Sequence, residues 1–248
     1  MNTIDSARLL SSLDFPLHLS VTEETGSTND DLKAAARCGA PDLSVRIATR
    51  QMGGRGREGR SFHSPEGLYM SILLPTQGAA YPYLTHLAAI AVARAVQNVT
   101  GLSARVKWVN DVFIDGKKIT GILAENILGG STRRVVLGIG VNANTPRDAF
   151  PPDLSEIAGT ICCDATTLAS EILKELLTRL YRFSLEDTQR EYRELCFLIG
   201  KKVLVRKEND DREATVLGLT DDLGLTVRYE EGVTEDLISG EVHLILPR

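Results

Sequence analysis

The sequence predicts an α+β fold: a mixed sheet with helices over residues 1–198, followed by a small all-β unit over residues 199–248. Three observations carry this. Up to Leu198, apolar runs of strand length interleave with longer segments of helical periodicity. From Gly200 onward the pattern changes to short alternating runs separated by turn residues. Between two strand-like runs stands Asp115-Gly116, a hairpin signal that puts antiparallel pairing into the first unit.

The elements follow in order. Residues 17–22 alternate as a strand, and Ser27 or Thr28 caps a helix over Asn29 to Arg37 that stops at Gly39 and Pro41. Val45 to Thr49 and Leu68 to Leu74 read as strands flanking a glycine- and arginine-rich loop. Tyr83 to Val99 is an alanine-rich helix ended by Gly101. Arg105 to Phe113, Lys118 to Ile127 and Arg133 to Ala143 read as three strands, with Gly129-Gly130 serving the second turn. Leu168 to Phe183 carries leucines on one side of a helix, and a further helical stretch, Leu185 to Leu195, follows. The final unit reads as strands at Lys202 to Arg206, Glu213 to Leu219, Leu225 to Tyr229, Val233 to Leu237 and Val242 to Leu246. A barrel of about 50 residues is marginal alone, so it is expected to pack on the first unit.

Composition excludes several classes of function. At 248 residues and 43% hydrophobic, the chain can bury a sizeable core. A net charge of −5 gives no whole-protein case for nucleic acid or an anionic membrane. No apolar run reaches the length of a membrane span, and no secretory signal is visible at the N-terminus, so a cytoplasmic protein is expected. Cys38, Cys162, Cys163 and Cys196 lack metal or redox spacing and are expected as free thiols. The histidines, His18, His63, His86 and His243, form no metal pattern.

Against the acidic background, residues 51–60 (Gln-Met-Gly-Gly-Arg-Gly-Arg-Glu-Gly-Arg) concentrate positive charge on a flexible backbone. The loop is either a solvated basic surface or a phosphate cradle, because arginine offers a planar fork of donors matched to phosphate. Gly54, Gly56 and Gly59 satisfy a dinucleotide fingerprint, but Pro65 and Gly67 follow where that motif needs a helix. A Walker A reading fails on the same ground, with Arg60 in place of its lysine. A kinase reading fails because no His-Arg-Asp or Asp-Phe-Gly triplet exists.

Two other segments call for an anionic and polar ligand. In Lys107-Trp108-Val109-Asn110-Asp111 and Lys117-Lys118-Ile119-Thr120-Gly121-Ile122-Leu123, Lys118 is an edge-strand surface lysine or one that needs an anionic partner within a half-buried sheet. Lys107 carries the same ambiguity, and Asn110-Asp111 is a turn pair or a nucleotide contact. Thr25-Gly26-Ser27-Thr28-Asn29 is a helix cap that can also bind a neutral polar head group such as a ureido ring. Gln51 and Asn142 add two amides near strand ends.

Together these motifs resemble those of the biotin protein ligases, over nearly the whole chain. The family shows Ser-Thr-Asn near its N-terminus, here Ser27-Thr28-Asn29, and a Gly-Arg-Gly-Arg-x-Gly-Arg loop, here Gly54 to Arg60. Its Lys-Trp-Pro-Asn-Asp segment stands as Lys107 to Asp111, and its Lys-Ile/Leu-x-Gly-Ile-Leu strand as Lys118 to Leu123. Two departures occur: Val109 replaces the usual proline, and Phe62 stands where some members stack a tryptophan on adenine. Glu58 occupies the variable position of the loop and slightly weakens its positive field.

The resemblance implies a class II synthetase-like catalytic domain of the biotin–lipoate ligase kind over residues 1–198 and an SH3-like barrel over 199–248. It implies ATP-dependent activation of biotin as biotinyl-5′-AMP, then transfer to a lysine of a biotin carboxyl carrier domain of a carboxylase. Lys118 and Arg57 are implied as catalytic. Ser27, Thr28, Asn29, Gln51, Gly54, Arg55, Gly56, Arg57, Lys118, Gly121 and Leu123 are implied at biotin. Arg57, Arg60, Phe62, Lys107, Asn110, Asp111 and Asn142 are implied at ATP or the adenylate. Mg²⁺ is expected with ATP, its ligands not readable. The chain looks like the form that only ligates, without DNA binding, as a monomer or homodimer. A lipoate or octanoate ligase or transferase shares the catalytic fold and is the rival reading. A non-catalytic biotin-binding module is a further rival.

Overall fold

A computed structural model describes residues 3–59, 62, 66–127, 133–207 and 210–245. Helix α1 (Ser6–Ser11) is capped by Asp5 and lies against α4. Strand β1 (His18–Thr25) leads through α2 (Thr28–Arg37) to β2 (Ser44–Gln51), which pairs parallel with β1. β3 (Glu66–Pro75) continues the sheet, and α3 (Leu84–Thr100) crosses it. β4 (Arg105–Lys107), β5 (Asp111–Ile114), β6 (Lys117–Ile127) and β7 (Arg134–Val141) complete seven strands in the order β1-β2-β3-β7-β6-β5-β4. Helices α4 (Ala165–Tyr181) and α5 (Leu185–Leu195) close the first unit.

Sequence chemistry accounts for the main elements. Ser27 accepts from the Asp30 amide and so starts α2, whose Leu32 and Ala36 pack on Leu73 and Val136 of the sheet. β3 lies in the sheet interior with eight consecutive buried residues, which explains its near-continuous apolar run. The alanines of α3 allow close packing on α4, and Gly101 ends the helix at φ 73°. Asp115 and Gly116 both take positive φ, as a tight hairpin between β5 and β6 requires.

One expected strand is two. Arg105 to Phe113 breaks at Trp108–Asn110, and β5 folds back antiparallel on β4 so that Lys107 faces Asp111. The cause is long-range. Trp108 is buried and its Nε1 donates to the Leu223 carbonyl at 2.9 Å, while Asn110 Nδ2 donates to the Ile122 carbonyl at 2.8 Å. The Trp108–Val109 peptide bond is cis. Helix α1 has no counterpart among the elements expected from the sequence, and the Gly129-Gly130 turn lies outside the described residues.

β8 (Lys202–Lys207), β9 (Asp210–Leu219), β10 (Leu225–Tyr229), β11 (Thr234–Leu237) and β12 (Glu241–Leu244) form an antiparallel sheet in the order β11-β10-β9-β8-β12, which fits an SH3-like domain. One cluster of buried apolar side chains runs through both sheets. The turn at residues 220–224 docks on the first unit. Tyr83 Oη donates to Asp222 at 3.1 Å, Gln189 Nε2 to the Asp221 carbonyl at 2.6 Å, and Arg193 to the Thr220 carbonyl at 3.4 Å.

Candidate active site

The site forms where the start of α2, the loop after β2 and the centre of the large sheet converge. The loop is pinned at its root: Met52 N–H donates to the Thr25 carbonyl at 3.0 Å and Gly53 N–H to the Gly26 carbonyl at 2.7 Å. Further on, Phe62 N–H donates to the Gly54 carbonyl at 2.9 Å. These bonds bring Ser27-Thr28-Asn29 and the arginine loop together, as expected from their motifs.

Two adjoining cavities result. The first, about 30 Å³, is lined by Ser27, Thr28, Asn29, Gln51 and Gly138, with Arg55, Phe62, Gly121 and Leu123 at its border. The second, about 170 Å³, is lined by Gly56, Arg57, Lys107, Asn110, Asp111 and Lys118 and shares that border. Gly240 and Val242 of the C-terminal unit complete its wall. The first is neutral and rich in hydrogen-bonding groups. The second is dominated by cations.

Phe62 stands between the two. Its ring lies so close to Gly121 and Gly140 that a Cβ at either would come within 3.0 Å of it. It also meets Tyr69 edge-on, with centroids 6.4 Å apart. The ring fills the space over the two glycines, which is why the first cavity has room for little more than a water molecule.

The charged groups are partly compensated within the chain. Lys118 Nζ lies 2.8 Å from Asp111 Oδ1, an oxygen that makes no regular hydrogen bond, so the pair is in contact without being locked. Arg55 pairs with Asp30 at the start of α2. Arg57 Nη1 donates to Asn110 Oδ1 at 3.4 Å. Behind the first cavity, Asn29 Nδ2 donates to Glu125 Oε2 at 2.7 Å and Lys33 Nζ to Glu125 Oε1 at 2.8 Å. Burial pushes the Glu125 carboxyl up, but the hydrogen bonds from Lys33 and Asn29 and the charges of Lys33 and Arg55 outweigh it and hold it below its ordinary value.

Of the other expected residues, Gly54 lies at the loop root and lines neither cavity. Asn142 is buried beside them: its Nδ2 donates to the Gly159 carbonyl at 2.9 Å, and its Oδ1 has no partner among the described residues. Arg60 and His63 lie outside the described residues. Sequence reasoning missed Ser71, Glu125, Gly240 and Val242. For Ser71 a signal existed, a lone serine inside the apolar run of β3. For Gly240 and Val242 there was none, since only the docking of the second sheet brings them here.

Among the described residues, no group of three or more His, Cys, Asp or Glu could hold a metal ion, and no helix is long and apolar enough to cross a membrane. Cys38, Cys162, Cys163 and Cys196 are free thiols, as expected.

Comparison with known proteins places this geometry in a class. Residues 22–142 match the Biotin/lipoate A/B protein ligase family. The bifunctional ligase/repressor BirA of Bacillus subtilis is 30% identical over 246 residues, covering 92% of this chain and 74% of that protein. A biotin–[acetyl-CoA-carboxylase] ligase of Mycobacterium tuberculosis is 31% identical over 239 residues, 90% of this chain and 88% of that one. The structure of an Aquifex aeolicus biotin protein ligase in complex with biotin and ATP superposes with a TM-score of 0.79 at 27% identity, covering 93% and 99% of the two chains. The chain belongs to the biotin protein ligase family.

Proposed function

We propose that this chain joins biotin to AMP and passes the biotinyl group to a lysine of a carboxyl carrier domain. The observation that carries the reading is the pair of adjoining cavities: a neutral one built of Ser27, Thr28, Asn29 and Gln51, opening onto a cationic one built of Arg57, Lys107 and Lys118. A bicyclic urea with an anionic tail and a nucleotide triphosphate match that pair in polarity, and Phe62 must leave the space over Gly121 and Gly140 to admit the head group. Relatives named for biotin ligation, and one solved with biotin and ATP, support the assignment.

The chemistry follows from charge. A carboxylate is a poor electrophile, and AMP supplies the leaving group it lacks. Carboxylate and triphosphate repel each other, so the site must place cations where they meet. Lys118 is proposed to bridge the biotin carboxylate and the α-phosphate, trading Asp111 for the substrates. Arg55 and Arg57 are proposed to gather biotin and the AMP phosphate, and Arg60, by its motif position, the ATP phosphates. Gly54 and Gly56 give the loop its close approach. Phe62, Lys107, Asn110, Asp111 and Asn142 are assigned to the nucleotide. In the second half-reaction the acceptor amine attacks the acyl carbon and AMP leaves.

Mg²⁺ is proposed to arrive with the ATP phosphates. Asp111 is the one carboxylate lining the cationic cavity among the described residues, and Lys118 is in contact with it, so the donor set does not amount to a protein cage. We assign residues 1–198 to the catalytic domain and 199–248 to the barrel. A cytoplasmic location, a monomer or homodimer, and the lack of specific DNA binding complete the proposal. For DNA, the net charge of −5 and the placement of Arg55 and Arg57 in the site leave little for phosphate tracking, and a gel-shift titration tests this.

ATP–pyrophosphate exchange tests the first half-reaction. Exchange should depend on biotin and stay at background with lipoate or octanoate. Exchange with lipoate would favour the rival ligase. Biotin binding without exchange would favour a non-catalytic module.

A further inference from the structure

We propose that Glu125 is a positioning residue for the neutral cavity, fixing through Asn29 and Ser71 which groups there donate and which accept. The inference rests on the functional reading above and extends it to residues that do not line the site. Neither Glu125 nor Ser71 borders either cavity.

Proton counting fixes the direction of each hydrogen bond. A carboxylate only accepts, so the side of the Asn29 amide facing Glu125 must be its NH₂, at 2.7 Å. That fixes the amide, and its Oδ1 then faces Ser71 Oγ at 2.6 Å. Two oxygens at this distance need a proton between them, and a carbonyl has none, so Ser71 donates to Asn29. Ser71 has a single hydroxyl proton, yet its oxygen also lies 2.8 Å from Thr28 Oγ1. Thr28 must therefore supply the proton in that second contact, in preference to Gln51 Oε1, which lies farther from its Oγ1 at 3.3 Å. Gln51 Oε1 keeps the Thr28 backbone N–H at 2.9 Å, which turns its own NH₂ outward. Ser27 Oγ accepts the Asp30 N–H at 3.3 Å, leaving its proton free to donate.

The cavity thus presents donors from Ser27, Asn29 and Gln51 beside an acceptor at Thr28. This is the inverse of a cyclic urea, which carries a carbonyl flanked by N–H groups. The order at Asn29, Ser71 and Thr28 starts at Glu125, whereas backbone N–H groups of α2 orient Gln51 and Ser27, and Lys33 holds the carboxylate in place at 2.8 Å. The surroundings leave Asn29 no alternative seat. It is buried, and a Cβ at Gly138 would come to 2.2 Å of its Oδ1.

Glu125→Gln keeps the shape but adds a donor. The introduced amide can then meet Asn29 either way round, the Asn29 amide is free to flip, and the proton order of the relay is lost. Steady-state exchange kinetics should show a KM for biotin raised about tenfold or more, the scale of one mispaired buried hydrogen bond. KM for ATP and Tm should stay close to wild type. Ser71→Ala should raise KM for biotin similarly, and the double variant should be no worse than the poorer single, because both act through one relay. An unchanged KM for biotin in Glu125→Gln, additive effects in the double variant, or parallel rises in both KM values with a fallen Tm would overturn the inference. Wild-type protein without biotin-dependent exchange would sink the functional reading itself, and this inference with it.

Discussion

Lys118 Nζ lies 2.8 Å from Asp111 Oδ1 across the β5–β6 hairpin, at the wall of the cationic cavity. The hairpin makes the contact, since Asp111 pairs with Gly121 in register and Lys118 with Phe113. Side-chain exposures of 35% and 17% leave the ammonium partly hydrated, and an arriving anion can compete for it. Lys118→Ala should lower the rate of adenylate formation by at least about a hundredfold, the cost of losing one preorganised charge at a reacting group, with Tm within a few degrees of wild type. Single-turnover pyrophosphate release measures this. A near-wild-type rate would remove Lys118 from the mechanism.

Gly138→Ala should strike the neutral cavity selectively. The new methyl would overlap the Asn29 amide, with 2.2 Å to Oδ1. Overpacking of this kind costs typically about 1–3 kcal/mol. If moving Asn29 absorbs that cost, biotin affinity falls by about tenfold or more while ATP affinity holds. Isothermal titration with each substrate separates the two, and equal losses for both would argue against the assignment of this cavity to the head group.

Trp108→Phe should loosen the C-terminal unit. It removes the Nε1 donor from the buried Leu223 carbonyl, and stranding a buried acceptor costs about 1–3 kcal/mol. Tm should fall by several degrees in a chain of this size. Because Gly240 and Val242 help wall the cationic cavity, KM for ATP should rise as well. An unchanged Tm would mean that the docked turn is held by its other contacts.

His86 makes stability depend on pH. It is buried against Tyr83 and Tyr192, and neither ring nitrogen has a hydrogen-bond partner among the described residues. Burial lowers its pKa from 6.5 to about 4, while the nearby Leu223 carbonyl pulls weakly the other way. Between those values the unfolded chain binds more protons than the fold. Stability therefore falls as pH drops from about 6.5 toward 4, by up to about 3 kcal/mol from this one group. Urea titrations of wild type and His86→Phe across that range check it. An equal acid slope in both would contradict the assignment.

Much of this architecture was legible because the signals are local. The Ser27 cap and the Leu32 and Ala36 face define α2, Leu185 to Leu195 is the helix observed, and Asp115-Gly116 turns where the sequence places it. Failure came where distant residues decide. Trp108 breaks a strand because its partner is Leu223, 115 residues away. The site divides along the same line. Its motif residues carry local chemical signals, a helix cap, a glycine- and arginine-rich loop and a lysine after a tight turn, so Ser27, Thr28, Asn29, Arg55 and Lys118 stand out in the sequence. Ser71 and Glu125 lie 42 and 96 residues from Asn29, and only the sheet order brings them to it.

The most direct test of the account is the complete reaction. The protein would be incubated with ATP, biotin and a purified carboxyl carrier domain, and the carrier weighed by intact-mass spectrometry. The account predicts one biotinyl group on a single carrier lysine, with AMP and pyrophosphate released, and no labelling when lipoate replaces biotin or when Lys118→Ala replaces the wild type. A carrier left unlabelled by wild-type protein, or labelled with lipoate in place of biotin, would contradict it.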